Sequence, residues 1–396
     1  KFFPSGGIST IILISIIYII DSVLFILMLF SVLYLLVFAM ASLKKRKIYY
    51  PETNDRLKFV ILFPAYKEDK IIVSSVKSFL TQKYPKSCYE IVIVSDQLQD
   101  ETNNLLSQLP VKLLIANYED RTKAKALNFG MDNLNKDDYD VVVVIDADNT
   151  VSSNFLNEIN KAFHFGIKAV QTHRVAKDVK TDMEILDAAS EEINNSFFRS
   201  GHVRLGLSSA LSGSGMAFEY KWFKKYIKNV SSVGEDKELE LELLKQGIYI
   251  DYLEDVYTYD QKVQTQEVFY NQRRRWIATQ YDNFARSIKY MPEALRTGNI
   301  DLCNKIIQWV MLPRLILLGF IILFAILFLF IDVFLAIKWW VLLFSMGLAL
   351  AIAIPDEMVN ERLIKVLKNL PKLFVLMVIN LFRMKGGKKK FIHTEH

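Results

Sequence analysis

The stretch Val141-Val-Val-Val-Ile-Asp-Ala-Asp148 decides the fold class. Four valines and an isoleucine in succession predict a strand over residues 141–145, because a strand that is covered on both faces is apolar at every position. Asp146 and Asp148 follow at its carboxyl end, where open α/β sheets bind their ligands. Carboxylate oxygens suit Mg²⁺ or Mn²⁺ that carries a diphosphate, but the same residues are also common in solvated turns. Either a metal site or a polar turn is consistent with the pair.

Outward from this stretch, short apolar segments alternate with amphipathic ones. The other predicted strands cover residues 59–63, 89–94, 111–115 and 170–174, and the predicted helices cover residues 70–82, 102–108, 124–134, 182–198 and 238–246. Strands that alternate with helices in this way form parallel, doubly wound sheets. We therefore predict an α/β domain with a mostly parallel, Rossmann-like sheet.

Polar residues follow the other predicted strands as well. Tyr66 is suited to stack on a base, Glu68 to bind a ribose and Asp96 to accept a hydrogen bond from a base N–H. Lys123 and Lys125 stand at the next helix start and suit phosphate oxygens. Each residue alone is consistent with an ordinary loop, but together they predict a nucleotide-diphosphate site. Neither GxxxxGK[ST] nor GxGxxG occurs here, so the sequence does not support a P-loop or a dinucleotide site.

Two later segments have more than one interpretation. The glycines of Leu211-Ser-Gly-Ser-Gly-Met216 allow close approach of a ligand, or simply a tight turn. Glu235 and Asp236 open a predicted helix, where an acidic pair is often only a cap that complements the helix dipole.

The segment Gln272-Arg-Arg-Arg-Trp276 carries three cations on a predicted helix. Gln272 and Arg275 are three residues apart, hence on one helical face, and both can donate to a pyrophosphate. Trp276 offers a flat apolar surface of the kind that binds a sugar ring. A solvated basic face or a membrane-surface patch is the alternative.

In this order, these motifs resemble family 2 glycosyltransferases with a GT-A fold, of the membrane-integrated polysaccharide synthase type. That group includes cellulose, hyaluronan, chitin-oligosaccharide and poly-N-acetylglucosamine synthases. The resemblance covers residues 58–280 and rests on Pro64-Ala-Tyr-Lys-Glu68, Asp96, Asp146-Ala-Asp148, Glu235-Asp236 and Gln272-Arg-Arg-Arg-Trp276. The chain departs from the family at Lys67, where Asn is more usual, and at Gly234, where Thr is more usual.

The resemblance implies a role for each motif. It makes Asp236, beside Glu235, the general base for the acceptor hydroxyl, and it makes Asp148, with Asp146, the ligand of Mg²⁺ or Mn²⁺. Direct displacement of this kind inverts the anomeric centre. Together with the residue chemistry, the resemblance predicts nucleotide-sugar binding by Tyr66, Glu68, Asp96, Lys123, Lys125, Asp146, Gln272 and Arg275, and acceptor binding by Trp276, Gly213, Ser214 and Gly215.

Composition places the chain at a membrane. Of the 396 residues, 52% are hydrophobic, and the excess lies in the two ends. The net charge of +6 is concentrated in clusters such as residues 44–47 and 388–390 beside apolar runs, a pattern that favours the positive-inside rule over nucleic-acid binding. Two distant cysteines indicate neither a disulfide framework nor a zinc site.

The apolar and basic segments near the two ends of the sequence suggest the following division into domains and membrane segments. Residues 1–47 form an N-terminal membrane segment, with one helix over residues 21–41 or, alternatively, a tight two-helix hairpin. Residues 48–280 form the catalytic domain and residues 281–304 an interfacial helix. Residues 305–355 hold two spans, predicted at 306–331 and 339–354, and residues 356–396 hold an interfacial helix and a basic tail. Arg314 would snorkel to the interface or face a translocation path. Phe391 and Thr394 resemble a gating segment of the family.

We expect an enzyme in the cytoplasmic membrane whose catalytic domain faces the cytoplasm. Its expected partners are UDP-N-acetylglucosamine or UDP-glucose, a growing glycan, membrane lipids and an accessory export subunit, with no nucleic acid. The leading expectation is synthesis of a β-linked polysaccharide. The alternatives are transfer of one sugar to a lipid acceptor and a catalytically silent membrane partner subunit.

Overall fold

The computed structural model describes residues 8–44, 50–118, 122–135 and 138–382. Within these residues, eight strands form one sheet in the order β3-β2-β1-β4-β7-β6-β8-β5. The strands are β1 Phe59–Tyr66, β2 Tyr89–Asp96, β3 Lys112–Ile115, β4 Val141–Val144, β5 Thr150–Val151, β6 Ala169–Ala176, β7 Met216–Glu219 and β8 Ile250–Asp260.

The helices cover both faces of this sheet and both ends of the chain. They are α1 Ile8–Ser42, α2 Ile72–Phe79, α3 Asp100–Ser107, α4 Lys123–Asp132, α5 Phe155–His164, α6 Asp182–Asn194, α7 Gly201–Arg204, α8 Tyr220–Tyr226, α9 Glu235–Lys245, α10 Gln266–Ser287, α11 Met291–Thr297, α12 Ile300–Val310, α13 Arg314–Leu327, α14 Val333–Ala353, α15 Glu361–Leu367 and α16 Leu370–Phe382.

Strand β4 lies in the middle of the sheet, as its valines predict. It runs parallel to β1, with Val141 opposite Phe59, and antiparallel to β7, with Val144 opposite Met216. Alternate valines enter two different cores: Val141 and Val143 pack with α2 and α5, whereas Val142 and Val144 pack with α4, α8 and α9. Because helices cover both faces, the strand is apolar throughout.

The five predicted strands are confirmed, and the sheet is more mixed than the alternation of segments indicates. Among the strand pairs of the described residues, four are parallel and three are antiparallel. The antiparallel pairs involve the strands β5, β7 and β8, which the sequence did not predict. β5 and β7 are only two and four residues long, and β8 is polar and rich in tyrosine. A prediction that rests on runs of apolar residues therefore does not detect these three strands.

The predicted helix over residues 182–198 is confirmed up to Asn194 and is wrong only in its last four residues. α6 begins with a capping box at Thr181 and Glu184 and ends at Asn194, and a π-helical turn follows over Asn195–Ser200. Such turns are frequently found at functional sites. The turn leads into α7, where a side chain at Gly201 would clash with the carbonyl oxygen of Phe38 in α1. α7 and α1 therefore pack backbone against backbone.

The apolar N-terminus forms one continuous helix, so the hairpin alternative is wrong. α1 packs against α14, where Asp21 is buried and accepts hydrogen bonds from Lys338 and from the Trp339 indole, the latter at 2.8 Å. Among the described helices, α1 over residues Ser15–Ser42 and α14 are long and apolar enough to cross a bilayer.

The predicted span over residues 306–331 is not one helix. α12 and α13 meet at a bend of 57°. The bend has a local cause: Pro313 disfavours helical geometry in the residue before it, and Met311 is extended at ψ 148°. If this bent pair is counted as one span, the described residues contain three.

The predicted boundaries near residue 280 also differ from the structure. α10 runs through this position, and the segment 281–304 holds the end of α10, α11 and the start of α12 instead of one helix. Gly298 ends α11 at φ +70°, a conformation that glycine adopts without strain. Helix α16 packs against α10 and α13. Phe391 and Thr394 lie outside the described residues, and the gating segment stays a prediction.

Candidate active site

A cavity of about 900 Å³ opens at the carboxyl ends of β1, β2 and β4 and continues to α13, α14 and α16. We call the part lined by the acids and their neighbours the polar end, namely Tyr66, Glu68, Asp96, Asp146, Asp148, Glu235 and Asp236. The part lined by Leu317, Leu318, Leu350, Leu373 and Met377 is the apolar end. Most of the residues that the sequence singled out line this one cavity. They are Tyr66, Glu68, Asp96, Lys123, Asp146, Asp148, Gly213, Glu235, Asp236, Gln272, Arg275 and Trp276.

The strand register brings Tyr66 and Asp96 to neighbouring positions at the polar end. They are register partners at the ends of β1 and β2, and the backbone N–H of Lys67 donates to the carbonyl oxygen of Asp96 at 3.2 Å. Lys67 has a positive φ of 57°, which turns the chain away from the sheet here. Glu68 follows, and burial, assisted by the charges of Asp146 and Asp69, raises its pKa to about 7.

The acids after β4 are held by their surroundings. The backbone N–H of Asp146 donates to the hydroxyl of Ser214 at 3.0 Å. Burial, followed by the charges of Asp260 and Asp146, raises the pKa of Asp148 well above its ordinary value. Carboxylates are thus concentrated at the polar end of the cavity, which is an environment that favours a bound cation.

The donor set at the polar end fits Mg²⁺ or Mn²⁺. The described residues contain no group of three or more His, Cys, Asp or Glu that could hold a metal without other ligands. Mg²⁺ is commonly bound by one or two carboxylates together with substrate phosphates. Asp146 and Asp148 are a pair of that kind at a cavity large enough for a nucleotide.

Lys123 joins three elements of the site. It is ion-paired with Asp146, lies 3.2 Å from Glu235, and donates to the carbonyl oxygen of Gly213 at 2.7 Å. Burial lowers the pKa of Lys123, but the carboxylates of Asp146 and Glu235 more than offset this and raise it. Without bound phosphate, the ammonium group therefore neutralises the acids of β4 and α9.

Glu235 and Asp236 form the first turn of α9, as predicted. Burial, followed by the charge of Asp236, raises the pKa of Glu235. Asp236 lies 3.7 Å from the Lys237 ammonium, and its side chain keeps 18% exposure. A side chain at Gly234 would clash with Thr279 of α10, so the start of α9 packs closely against that helix.

Helix α10 carries the segment 272–276 along the cavity. Gln272, Arg275 and Trp276 line it, and burial lowers the pKa of Arg275. Arg273 donates to the carboxylate of Asp187 at 2.6 Å, and its guanidinium lies 4.4 Å from the centre of the Trp276 ring. The three arginines thus have different surroundings, and the solvated basic face is excluded for Arg273.

Three residues that the sequence predicts to contact the nucleotide sugar or the acceptor do not line the cavity. Lys125 is exposed on α4. Ser214 is fully buried and supports Asp146 from behind the strand end. A side chain at Gly215 would clash with the hydroxyls of Thr172 and Thr258. Contact of Ser214 and Gly215 with an acceptor is therefore wrong: the glycine segment is a tight turn under the site, and only Gly213 of the three reaches the cavity.

The sequence did not single out a second group of charges beside Asp148. Asp260 at the end of β8 pairs with Arg174 at 2.9 Å and with Lys262 at 2.8 Å, and it accepts from the amide of Asn149 at 3.0 Å. Arg174, Asp260 and Lys262 also line the cavity. Arg174 is the last residue of the predicted strand over residues 170–174, so its position at a strand end was the available signal.

Comparisons with known proteins agree with this architecture. The profile of the glycosyltransferase-like family 2 matches residues 56–279. A probable glycosyltransferase of Bacillus subtilis, YdaM, is 24% identical over 244 residues, which is 55% of this chain and 54% of that protein. The β-monoglucosyldiacylglycerol synthase of a Nostoc species is 24% identical over 252 residues, 60% of this chain and 52% of that protein. The matches span about half the length of these relatives.

Among solved structures, the mannosyltransferase PcManGT of Pyrobaculum calidifontis, in complex with GDP-Man and Mn²⁺, superposes with a TM-score of 0.52. It is 17% identical, and the superposition covers 84% of this chain and 97% of that one. This similarity supports the predicted GT-A fold of the sheet domain. Because the family profile covers more than half of the chain, the protein belongs to the family 2 glycosyltransferases.

Proposed function

We propose that this protein transfers a hexose from UDP-glucose or UDP-N-acetylglucosamine to a lipid acceptor, with inversion at the anomeric carbon. The single observation that carries the proposal is the continuity of the cavity. Its polar end has the residue types that a nucleotide diphosphate requires, and its apolar end is lined by side chains of α13, α14 and α16. A substrate that fits both ends has a polar reactive group and an apolar body.

Asp236 accepts the proton of the acceptor hydroxyl in the proposed reaction. The acceptor oxygen forms its bond to the anomeric carbon while the bond from that carbon to the diphosphate breaks. Asp148 and Asp146 would hold Mg²⁺ or Mn²⁺, which neutralises negative charge on the diphosphate when bound. Arg275 and Gln272 donate to the leaving diphosphate, where negative charge develops.

Lys123 has a second role in this proposal. With its ammonium beside Asp146 and Glu235, it is within reach of the site where the diphosphate would bind. A phosphate oxygen offers the ammonium a stronger partner than the Gly213 carbonyl. Tyr66, Glu68 and Asp96 bind the nucleoside, and Trp276 lies against the acceptor sugar or headgroup.

We further propose that α1 and α14 anchor the enzyme in the cytoplasmic membrane, with the sheet domain in the cytoplasm. Both helices have the required length and apolar composition. The basic cluster at residues 44–47 follows α1 and favours a cytoplasmic position for that end. The similarity to the Nostoc protein, a β-monoglucosyldiacylglycerol synthase, supports a lipid acceptor.

Synthesis of a polysaccharide is the second candidate. The segment Gln272–Trp276 supports it, because Trp276 lines the cavity beside the site and could carry a glycan chain. The apolar end argues against it, since a glycan in transit needs polar groups along its path. An export subunit would belong to this second candidate only.

Incubation of the purified full chain with Mg²⁺ or Mn²⁺, radiolabelled nucleotide sugars and membrane lipids tests the proposal. We expect one labelled product that partitions into organic solvent. A ladder of water-soluble polymer would instead establish the second candidate. Absence of any product, together with intact UDP binding, would favour a silent partner subunit.

A further inference from the structure

Arg314 in the cavity wall forms no ion pair with a carboxylate of the described residues. Arg314 is the first residue of α13, and its Nη2 donates to the side-chain oxygen of Asn194 at 2.8 Å and to the carbonyl oxygen of Ser190 at 3.3 Å. Its other terminal nitrogen, Nη1, is buried and makes no hydrogen bond. Within the described residues, the hydrogen-bond partners of Arg314 are therefore neutral.

Three other arginines of this wall differ from Arg314. Each of them lies against a carboxylate: Arg174 at 2.9 Å from Asp260, Arg199 at 2.9 Å from Glu191 and Arg273 at 2.6 Å from Asp187. Glu191 is the acid whose charge acts on Arg314, but Arg199 already binds it. Because Nη1 of Arg314 is buried and a desolvated charge is costly without a counter-charge, this position in the wall favours an anionic ligand.

Arg273 adds a second set of donors to this position. It lines the same cavity, its positive charge acts on Arg314, and its Nε is buried without a hydrogen-bond partner. The stacking of Arg273 on the Trp276 ring at 4.4 Å fixes its plane. Two guanidinium groups with unused donors suit the oxygens of a phosphate group.

The surroundings of Arg314 identify the kind of molecule that carries this phosphate. The rings of Phe197 and Phe198 lie 5.7 and 5.8 Å from its guanidinium carbon. α13 continues from Arg314 along the cavity, and Leu317 and Leu318 line it there. A free phosphate gains nothing from such a wall, whereas the chains of a lipid bury their surface against it.

We propose that Arg314, together with Arg273, binds the phosphate of a membrane phospholipid whose chains lie along the apolar end of the cavity. The lipid acceptor is then anionic, and its hydroxyl group extends from the bound phosphate towards Asp236. This inference rests on the proposed function, because it takes the acceptor to be a lipid.

Lipid binding by the purified full chain in micelles of a neutral detergent tests this inference. The probes are radiolabelled dioleoylphosphatidic acid and dioleoylglycerol, which differ only in the phosphate. We expect phosphatidic acid to bind about tenfold or more tightly, as is usual for hydrogen bonds between charged groups. Arg314→Gln should reduce this preference to less than about threefold, and Arg314→Lys should retain more of it because it keeps the charge.

Arg286→Gln is the matched control. Unlike Arg314, Arg286 pairs with two acids, Glu238 and Asp282, and it is half exposed and outside the cavity lining. This variant should keep the full preference for phosphatidic acid. Binding of UDP shows whether each variant is folded, and Arg314→Lys carries the test if Arg314→Gln does not fold.

Three results would overturn the inference. The first is equal binding of the two lipids by the unmodified chain. The second is an unchanged preference in Arg314→Gln that still binds UDP. The third is displacement of phosphatidic acid by inorganic phosphate at equal concentration, which would indicate a site for free phosphate instead of a lipid.

The inference and the proposed function fail in different ways. Transfer of sugar to dioleoylglycerol without any preference for phosphatidic acid would support the proposed function and overturn this inference. Binding of phosphatidic acid that depends on Arg314, accompanied by polymer as the only product, would support the phosphate subsite and overturn its role in holding an acceptor.

Discussion

The polar and apolar ends of the cavity differ in where their residues come from and in how their charges are balanced. At the polar end, the side chains follow strands or open α9, and Lys123 links two of the acids to each other. At the apolar end, helices supply leucines and methionine, and Arg314 at its border has only neutral hydrogen-bond partners. This difference is the one that the proposed function requires, with the chemistry at the polar end and acceptor binding at the apolar end.

The largest expected effect comes from Asp236→Asn at the polar end. Asparagine keeps the size of the side chain but cannot accept the proton of the acceptor hydroxyl. We expect the rate of sugar transfer to fall by about 10²–10⁴-fold, the usual contribution of a general base. The binding of UDP should change little, and a radiolabel transfer assay beside a UDP titration measures both.

Glu242→Gln provides the control for this variant. Glu242 lies on the same helix, pairs with Lys245 at 2.8 Å and is outside the cavity lining. The Glu242→Gln variant should transfer sugar at the rate of the unmodified chain. If Asp236→Asn did the same, the catalytic role of the polar end would be refuted.

The second-largest effect is on the stability of the fold and concerns a buried ion pair between the polar and apolar ends of the cavity. Arg199 and Glu191 are 5% and 7% exposed and lie 2.9 Å apart. Glu191→Gln leaves the guanidinium buried without its counter-charge, and we expect the free energy of unfolding to fall by about 3–5 kcal/mol. Denaturant unfolding in detergent measures the difference. Glu219→Gln, in the exposed pair with Lys168, should change it by less than about 0.5 kcal/mol.

This pair also predicts a pH dependence. Burial alone would raise the pKa of Glu191, but Arg199, followed by Lys262, holds it below the ordinary value of 4.5. A depressed pKa stabilises the fold above that ordinary value, and the stabilisation is lost as the pH falls below it. The stability difference between the unmodified chain and Glu191→Gln should therefore shrink below pH 4.5. A difference that grows on acidification would contradict the assigned pairing.

The two ends also differ in how far the sequence predicts them. Tyr66, Asp96 and Asp146 could be placed together because each follows an apolar strand, and the ends of parallel strands meet at one edge. The pairing of Lys123 with Glu235 could not be predicted. It depends on how the start of α9 packs against α10, and this contact involves Gly234 and Thr279, which carry no charge or periodic pattern.

At the apolar end, the sequence left Arg314 with two alternatives, snorkelling or facing a translocation path. The choice depends on the bend before α13 and on α6, which lies more than a hundred residues earlier in the chain and supplies Ser190 and Asn194. The apolar pattern of residues 306–331 is the same for a straight and for a bent helix pair. Local sequence therefore predicts the polar end well and the apolar end poorly.

A smaller effect is expected from polar substitution at the apolar end. Leu350 on α14 lines the cavity, whereas Leu348 on the same helix is 43% exposed and outside the lining. Leu350→Gln removes apolar surface from the acceptor site, and we expect lipid glycosylation at limiting acceptor to fall by about tenfold, as for the loss of one leucine contact. Leu348→Gln should be close to the unmodified chain.

Hydrolysis of the nucleotide sugar by water sharpens this comparison, because it needs only the polar end. Both leucine variants should keep this hydrolysis. If both variants lost sugar transfer to lipid equally, the substitutions would be affecting membrane insertion instead of acceptor binding. If the yield of polymer fell together with lipid glycosylation in Leu350→Gln, the glycan would also pass along the apolar end of the cavity.

The smallest effect concerns Glu68 at the polar end. Burial and the charges of Asp146 and Asp69 raise its pKa to about 7, so it changes from a neutral carboxyl to a carboxylate near neutral pH. A carboxylate accepts a hydrogen bond from a ribose hydroxyl more strongly than a carboxyl group does, by roughly 1 kcal/mol. Because Glu68 is only partly converted between these two pH values, we expect uridine to bind about threefold more tightly at pH 8 than at pH 6.

Uridine is the appropriate probe because it lacks phosphates that titrate in the same range. In Glu68→Gln, its affinity should be independent of pH, since glutamine has no proton to lose. An affinity that falls as the pH rises would mean that the neutral carboxyl donates to the nucleoside, and Glu68 would then have the opposite role. A pH dependence that survives in Glu68→Gln would assign the titration to another group, for which Asp148 at the polar end is a candidate because its pKa is also raised.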